Sequence, residues 1–574
     1  MAALGILIAT LWLAAMCGAL RPVTWLAFAA GLGWLTAEIW LLSDRRDKQS
    51  PLLRPEILAY LCGCIILWWK LHGAEFNSWD DFGHWGLSSR ELLTTDQLPG
   101  ENSLVMYKDY PPASTLFHYF CLLWAPPSDG NIMTANSWIL LLPIGGLLAG
   151  FRWYSLVGII AAVVANVAAI EMLGVGFQTA MVDSLLGVVF AGCLISYFTL
   201  REAGGSTLWV APALFVLPLF KDSGVLLAEL AVLIIAVDMA ATAFKSGRPS
   251  MRMLATVVGL VAAPLIARRA WQWYVDMNGF KHIFPVQQAT VAGILHELSG
   301  QASDHSKAVR DAFSTALLQT PLDGFHALPV WASLIGAMLL LALALSVERV
   351  RVATIAAAMS GAAAVYLFSM LIMYLVLFSP YESLRLASFE RYSKTLLLGL
   401  FFVTLYMIMR LRPLVPTPLA GVWAGGVVGA MIYLHPQIAL LDELPRDPIR
   451  QQFSERIAAI RKVTPERSRI WTIVQNSSGG EVVRIRYDLA PRIYTGAWSV
   501  GKPYSPADQY TVDRSPEQLG SLAGQAEYLF LARPDRQFWD AYGVLFAPGE
   551  ESEAHFLYRI VRSTDGKITF AAIL

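Results

Sequence analysis

Charge is what this sequence has least of. Only 15% of its 574 residues are Asp, Glu, Lys or Arg, against about 25% in an average soluble domain. Hydrophobic residues make up 56%, and the mean hydropathy is +0.51. These figures exclude a water-soluble chain. Basic and acidic residues number 43 each, and neither gathers into a long run. That excludes an acidic interaction tail and the basic footprint of a nucleic-acid partner. Cysteine is scarce as well: the five residues Cys17, Cys62, Cys64, Cys121 and Cys193 all lie in apolar runs before residue 200, so no disulfide framework is expected. Cys62 and Cys64 sit two apart on a helical stretch and point to different faces, which suits apolar filling and not a metal pair. No P-loop, GxGxxG, HExxH or GxSxG pattern occurs, nor any fixed-period repeat or low-complexity tract. The first apolar run, Leu4 to Leu20, has no charged leader, and a second run follows directly after Arg21-Pro22. The pair reads as a retained membrane hairpin, not a cleaved signal peptide.

What the sequence has instead is long apolar runs. Segments able to cross roughly 30 Å of hydrocarbon lie near 4–20, 23–42, 55–72, 131–150, 153–172, 180–200, 207–220, 223–244, 252–273, 327–347, 352–378, 392–411 and 416–435. The expected fold is a polytopic α-helical membrane protein of about thirteen transmembrane helices with a C-terminal soluble α/β domain. Arg and Lys cluster in alternate short loops, at Arg45, Arg46, Lys48 and Arg54, at Arg152, at Arg201, at Lys245, Arg248 and Arg252, at Arg349 and Arg351, and at Arg410 and Arg412. Taken as cytoplasmic loops, they put the N-terminus inside and the C-terminal domain outside. Residues 73–130 then form an outer loop. The parity requires that Ala113 to Trp124, apolar but short and closed by Ala125-Pro126-Pro127, lies on the outer face as an interfacial helix. A true span there would invert every later loop.

After residue 440 the sequence turns polar. The reading is a membrane region over 1–435 and an extracytoplasmic α/β domain over 436–574. Asp447-Pro448 has the form of an N-cap followed by proline at the first helical position, and Ile449, Phe453, Ile457 and Ile460 recur at helical spacing. Ile470 to Val474, Val482 to Tyr487, Tyr528 to Ala532, Phe556 to Val561 and Ile568 to Ile573 read as strands.

The outer loop holds the densest chemistry: Asn77-Ser78-Trp79-Asp80-Asp81-Phe82-Gly83-His84-Trp85-Gly86, then Ser88-Ser89-Arg90-Glu91-Leu92-Leu93, then Tyr107-Lys108-Asp109-Tyr110-Pro111-Pro112. Two adjacent carboxylates just above a span raise one another's pKa, and one of them can accept a proton from a sugar or lipid hydroxyl. The other reading is a solvated acidic turn whose tryptophans belong to the interfacial aromatic belt.

The order of Asp-Asp, His, aromatic and Gly, then an Arg-Glu-Leu-Leu helix, then a Pro-Pro pair opening an apolar helix resembles the first outer loop of the GT-C glycosyltransferases. It is similar to the Asp-Glu, His, Phe, Gly pattern of the protein O-mannosyltransferases and to the Asp-Glu, Arg-Glu-Met, Lys-Pro-Pro pattern of the lipid A aminoarabinose transferases. It departs from them where Asp81 stands in place of Glu, where one extra residue precedes His84, and where Tyr110 precedes the prolines. The resemblance covers about forty residues. It implies a transferase that takes a sugar from a polyprenyl-phosphate carrier on the outer side of the membrane. It also implies that Asp80 is the catalytic carboxylate, with Asp81 as its partner. His84, Arg90, Lys108 and Tyr110 are candidate substrate or phosphate contacts; His84 either orients a carboxylate or contacts phosphate, or is a satisfied structural imidazole.

Three further places carry charge near the expected outer ends of spans. Asp183 needs a partner or a wet cavity; it either faces the site, as an Asp in a similar position does in that family, or is a local helix-end charge. Lys221, in Lys221-Asp222-Ser223-Gly224, either holds the carrier phosphate or snorkels to headgroups. Arg385 and Arg391 lie on an outer loop, against the usual charge bias, and either stabilise the departing phosphate or pair locally with Glu382 and Glu390. The histidines of 274–326, His282, His296 and His305, are too widely spaced for a metal site, and that loop reads as substrate cover.

The reading is an inverting glycosyltransferase that moves a sugar from a polyprenyl-phosphate donor to a lipid, polysaccharide or protein acceptor. The alternatives are a polysaccharide polymerase or ligase and a non-enzymatic flippase of lipid-linked glycans. No cofactor is required. A divalent metal is compatible with Asp80 and Asp81, without a full ligand set.

Overall fold

The computed structural model describes residues 1–574 except 45–53, 150–155, 247–250, 284–289, 300–302, 411–424, 427–428, 430–432, 434–439, 441, 443, 445, 507, 550–553 and 564–566. The chain divides into two compact units. One comprises Met1–Gly73, Asp96–Gly100 and Tyr107–Leu444; the other comprises Ala74–Thr95, Glu101–Met106 and Pro445–Leu574.

The first unit is helical. Among the described residues, seven helices are long and apolar enough to cross a membrane: Leu20–Trp40, Asp183–Glu202, Gly224–Phe244, Met251–Met277, Leu328–Leu345, Arg349–Val376 and Phe389–Met409. Ala2–Met16, Gly158–Leu173 and Thr207–Phe220 are shorter apolar helices. Pro55–Leu71 is a further helix of 17 residues. The run near 131–150 is not one helix but two, Asp129–Leu140 and Pro143–Leu147. Pro143 has no amide hydrogen to continue the ladder, and its ring crowds the preceding turn. The run near 416–435 lies almost wholly outside the described residues, as do Arg45, Arg46, Lys48, Arg152, Arg248 and Arg412.

Ala113–Leu122 is a helix of 10 residues, about 15 Å long, so it does not cross. It does not lie on a surface either. Every residue from Ala113 to Tyr119 is buried, and His118 Nε2 is 3.3 Å from Asn136 Oδ1 on the helix Asp129–Leu140. The apolar run expected as an interfacial helix is core, and its buried His118 finds a partner inside the bundle.

Two helices form the centre of this unit. Asp183–Glu202 and Phe389–Met409 are each 83% buried, against 6% for Leu20–Trp40. Glycine lets them touch: a Cβ on Gly187 would stand 2.6 Å from the Thr395 carbonyl oxygen, and one on Gly399 would stand 2.6 Å from Phe190 Cδ1. Small residues at such crossings bring backbones close without a hydrophobic driving force. The far end of the Asp183 helix is tied by a buried charge. Asp238, fully enclosed on the helix Gly224–Ser246, accepts from Arg351 Nε at 2.9 Å and Nη2 at 3.1 Å, from the Tyr197 hydroxyl at 3.0 Å, and from Arg201. Three helices meet at one carboxylate.

The second unit holds a four-stranded sheet in the order β1 (Ile470–Val474), β4 (Tyr528–Arg533), β5 (Leu557–Arg562) and β6 (Ile568–Ala572). β1 and β4 run parallel, and the other neighbours are antiparallel. A small pair, β2 (Ser499–Val500) and β3 (Thr511–Val512), stands beside it. Side chains alternate along the strands. Trp471, Ile473, Leu529 and Leu531 pack with Leu519, Phe538 and Tyr542 on one face; Ile470, Val474 and Phe530 pack with Phe453, Ile457, Ile460, Val482, Ile485 and Leu489 on the other. Asp447 caps the helix Pro448–Val463, its Oδ1 accepting from the amides of Ile449 at 2.9 Å and Arg450 at 3.1 Å.

Four of the five expected strands are present. The fifth, Val482 to Tyr487, is instead part of the helix Gly480–Leu489. Arg484 and Arg486 between Val483, Ile485 and Tyr487 mimic strand alternation, but Val482, Ile485 and Leu489 share one helical face and are all buried. Gly479, with φ of 101°, turns the chain into that helix.

This helix also holds the acidic loop, which belongs to the same unit. Arg484 Nη2 donates to the Asn77 carbonyl at 3.0 Å and its guanidinium lies 4.9 Å from the Phe82 ring centre. Arg90 Nη1 donates to the Tyr487 carbonyl at 3.1 Å and stacks on that ring at 4.4 Å. Asp447 donates its amide to Glu75 Oε2 at 3.1 Å. Asp81–Trp85 forms a single π-helical turn, followed by the helix Gly86–Thr95. Gly86 permits the tight fold, since a Cβ there would stand 2.4 Å from Phe76 Cε2.

Candidate functional site

In the helical unit the sequence-predicted residues Asp183, Lys221 and Arg391 converge. Asp183 opens the helix Asp183–Glu202, where an acid is favoured by the exposed amides of the first turn. Lys221 is the extended residue that ends the helix Ala211–Phe220. Its turn closes on Gly224, where a Cβ would stand 2.1 Å from the Leu217 carbonyl oxygen, so the tight return requires glycine. Lys221 Nζ lies 2.9 Å from Asp183 Oδ1 and 4.8 Å from the centre of the Tyr392 ring. Arg391 Nη1 lies 3.8 Å from Asp183 Oδ2. Its Nη2 donates to Ser388 Oγ at 2.6 Å.

The approach to Arg391 is strained. Leu386 and Ser388 adopt φ of 47° and 64°, in the left-handed region that non-glycine residues avoid, and such residues persist where a ligand clamp is over-determined by its surroundings. Thr395 Oγ1 donates to the carbonyl of Asp183 at 3.2 Å, which registers the starts of the Asp183 and Phe389 helices against each other. Two cations, one carboxylate and two helix N-termini therefore share one place. Its charge is net positive, and its backbone dipoles add to it. Asp183 is 2% exposed, Lys221 14% and Arg391 27%, so the cations form the open side and the acid the floor.

Glu390 pairs with Lys394 at 2.9 Å, and Glu382 closes a capping box on Ser379. Arg385 does not join the cluster: it is exposed and stacks on Tyr381 at 4.1 Å. The histidines of the segment from 274 are dispersed, His282 on Asp276 at 2.8 Å and His305 on Ser383 at 3.0 Å.

Lys108 and Tyr110 also lie in the helical unit, on a segment pinned to the helix Met251–Met277 and the residues after it. Trp271 Nε1 donates to the Asp109 carbonyl at 2.8 Å, and the Ile283 amide donates to Asp109 Oδ2 at 2.9 Å. Lys108 Nζ donates to the Gly100 carbonyl at 3.2 Å, and Tyr110 stacks on Tyr107 at 4.9 Å. Sequence reasoning passed over Asp109, Asp222, Arg268 and Tyr392. The first two sit beside residues it chose, Lys108 and Lys221, which was the available signal. Burial pushes the Asp222 carboxyl up to about 6 and raises that of Asp109 as well.

In the second unit, Asp81 is fully buried and His84 nearly so, whereas Asp80, the residue before the π-helical turn, is half-buried. His84 meets Trp85 edge-on at 4.6 Å. Arg90 is committed to Tyr487. Among the described residues no group of three His, Cys, Asp or Glu is placed to hold a metal ion.

No family model matches this chain, and no curated protein matches it. Among solved structures, the crystal structure of ArnT from Cupriavidus metallidurans bound to undecaprenyl phosphate is similar, over 83% of this chain and 96% of that chain, at 15% identity and a TM-score of 0.41.

Proposed function

We propose that the protein is a membrane glycosyltransferase of the GT-C type, which moves a sugar with inversion from a polyprenyl-phosphate donor to a lipid, polysaccharide or protein hydroxyl. The observation that carries this reading is the convergence of Lys221 and Arg391 on Asp183 at two helix N-termini, a set of donors suited to a phosphate ester. The motif from Asp80 to Pro112 supports it. In the reaction the acceptor hydroxyl attacks the anomeric carbon, the bond from that carbon to the phosphate oxygen breaks, and the electron pair leaves on the phosphate. Lys221 and Arg391 meet the charge that develops there. Asp183 holds both cations in place. The acceptor proton passes to a carboxylate, and Asp80 is the more accessible of the adjacent pair.

The test is transfer from purified polyprenyl-phosphate monosaccharides into an acceptor extract. Lys221→Ala and Arg391→Ala are each expected to lower kcat/KM for the donor by about 10- to 100-fold, the loss of one charge-assisted hydrogen bond. Unchanged donor kinetics would remove these residues from the site. Movement of the intact lipid-linked glycan across the bilayer without transfer would favour the flippase, and joining of whole chains the polymerase or ligase.

The distribution of Arg and Lys supports an extracytoplasmic site, with the N-terminus in the cytoplasm. A cysteine in place of Asp540, which is 72% exposed, is expected to react with an impermeant maleimide in intact right-side-out cells. Labelling only after permeabilisation would reverse the orientation.

A further inference from the structure

We infer that Asp109, Asp222 and Arg268 form a carbohydrate-recognition subsite that reads the sugar carried on the phosphate held by Lys221 and Arg391. The inference rests on the donor reading above and adds to it the residues that select the sugar. Asp109 is only 6% exposed. One of its oxygens, Oδ2, takes the Ile283 amide at 2.9 Å. The other, Oδ1, is buried and has no hydrogen-bond partner among the described residues, and Arg268 Nε is in the same condition. Asp222 lies within electrostatic range of Asp109, Arg268 and His282, and is itself partly exposed. The cluster thus contains an unused buried acceptor, an unused buried donor and a carboxyl at its open edge.

Buried polar atoms without partners are rare and call for an explanation. A hydroxyl group answers either kind of atom, because it donates to an acceptor such as Asp109 Oδ1 and accepts from a donor such as Arg268 Nε. An alkyl chain would leave both atoms unpaired, and an anionic group would face two carboxyls. A sugar ring offers several hydroxyls, together with apolar C–H faces for the aromatic side chains near Asp109, where Tyr107 stacks on Tyr110 at 4.9 Å and Trp271 on Tyr274 at 5.1 Å. Its position follows from the chain. Asp222 is the residue after Lys221, so its Cα lies about 3.8 Å from that of the proposed phosphate ligand. Burial also pushes the Asp222 carboxyl up to about 6, so that below that pH it donates as well as accepts.

The experiment measures binding to the full-length protein in detergent. The probes are undecaprenyl phosphate alone and undecaprenyl phosphate loaded with a hexose, an N-acetylhexosamine or a pentose. In the wild type at least one loaded carrier is expected to bind about tenfold or more tightly than the bare carrier. Asp109→Asn and Asp222→Asn, which keep shape and volume, are expected to erase roughly tenfold to hundredfold of that preference and to leave bare-carrier affinity unchanged. Arg268→Gln serves as a third variant, and thermal unfolding reports whether each one folds. The proposal is overturned if no loaded carrier outbinds the bare one, if the preference survives all three substitutions, or if folded variants lose both ligands equally, as a structural role predicts. Failure of the wild type to bind the bare carrier overturns the phosphate reading itself and this proposal with it. Loss confined to the loaded carrier supports both.

Discussion

Replacing Asp80 by asparagine is expected to slow sugar transfer by about 10²- to 10⁴-fold, the usual contribution of a positioned general base, while binding of undecaprenyl phosphate stays at the wild-type level. Asparagine matches aspartate in shape and accepts no proton at neutral pH, so the substitution isolates the proton transfer. The two adjacent acids differ in surroundings. Asp81 is fully enclosed at the start of the π-helical turn, in a loop held by Arg484 and Arg90, and Asp80 is half-buried. Asp81→Asn is therefore expected to act on stability more than on turnover. A single-turnover assay beside a thermal melt separates the two. If Asp81→Asn abolishes turnover in a folded protein while Asp80→Asn does not, the assignments are exchanged; full activity in both rejects a carboxylate base in this loop.

The second large effect concerns the floor of the proposed phosphate site. Asp183→Leu leaves Lys221 buried beside Arg391 with no counter-charge, and breaking a buried ion pair from one side costs about 3–5 kcal/mol. The protein is expected to unfold at markedly lower temperature and to lose donor binding. The double variant Asp183→Leu, Lys221→Leu removes both halves of the pair, and apolar replacement of a whole buried pair is often neutral or stabilising. It is expected to recover most of the stability and none of the donor binding. This contrast distinguishes a phosphate site from a structural salt bridge. If the double variant recovers donor use along with stability, Lys221 serves only the fold.

The same two units show how far local pattern reaches. Apolar runs located the long apolar helices described in the first unit, because a membrane-crossing helix is announced by its own composition, but not the helices Val291–Leu298 and Asp304–Gln319, which lie in the segment read as a loop. The break at Pro143 was overlooked for the opposite reason: hydropathy averages over a window, and proline acts through one missing amide. In the second unit Asp447-Pro448 announced its helix through the cap alone. Val482 to Tyr487 misled, because Arg484 and Arg486 alternate with apolar residues while Val482, Ile485 and Leu489 are the face that the sheet buries. Two periodicities were present in one segment, and packing against β1 and β4 selected between them.

The candidate site divides in the same way. The residue types and their likeness to a known outer loop singled out Asp80, Asp183, Lys221 and Arg391 without coordinates. Membrane class, the polar C-terminal domain and most helices were also determined by the chain alone, since hydropathy and capping depend on near neighbours in sequence. Pairing was not. Lys221 meets Asp183 across 38 residues, Arg385 turns away to Tyr381 while Arg391 turns in, and Asp109 and Asp222 are drawn together from separate segments. Only the tertiary structure decided these, because the energy of a buried charge depends on which distant groups share its cavity and on how little water reaches it.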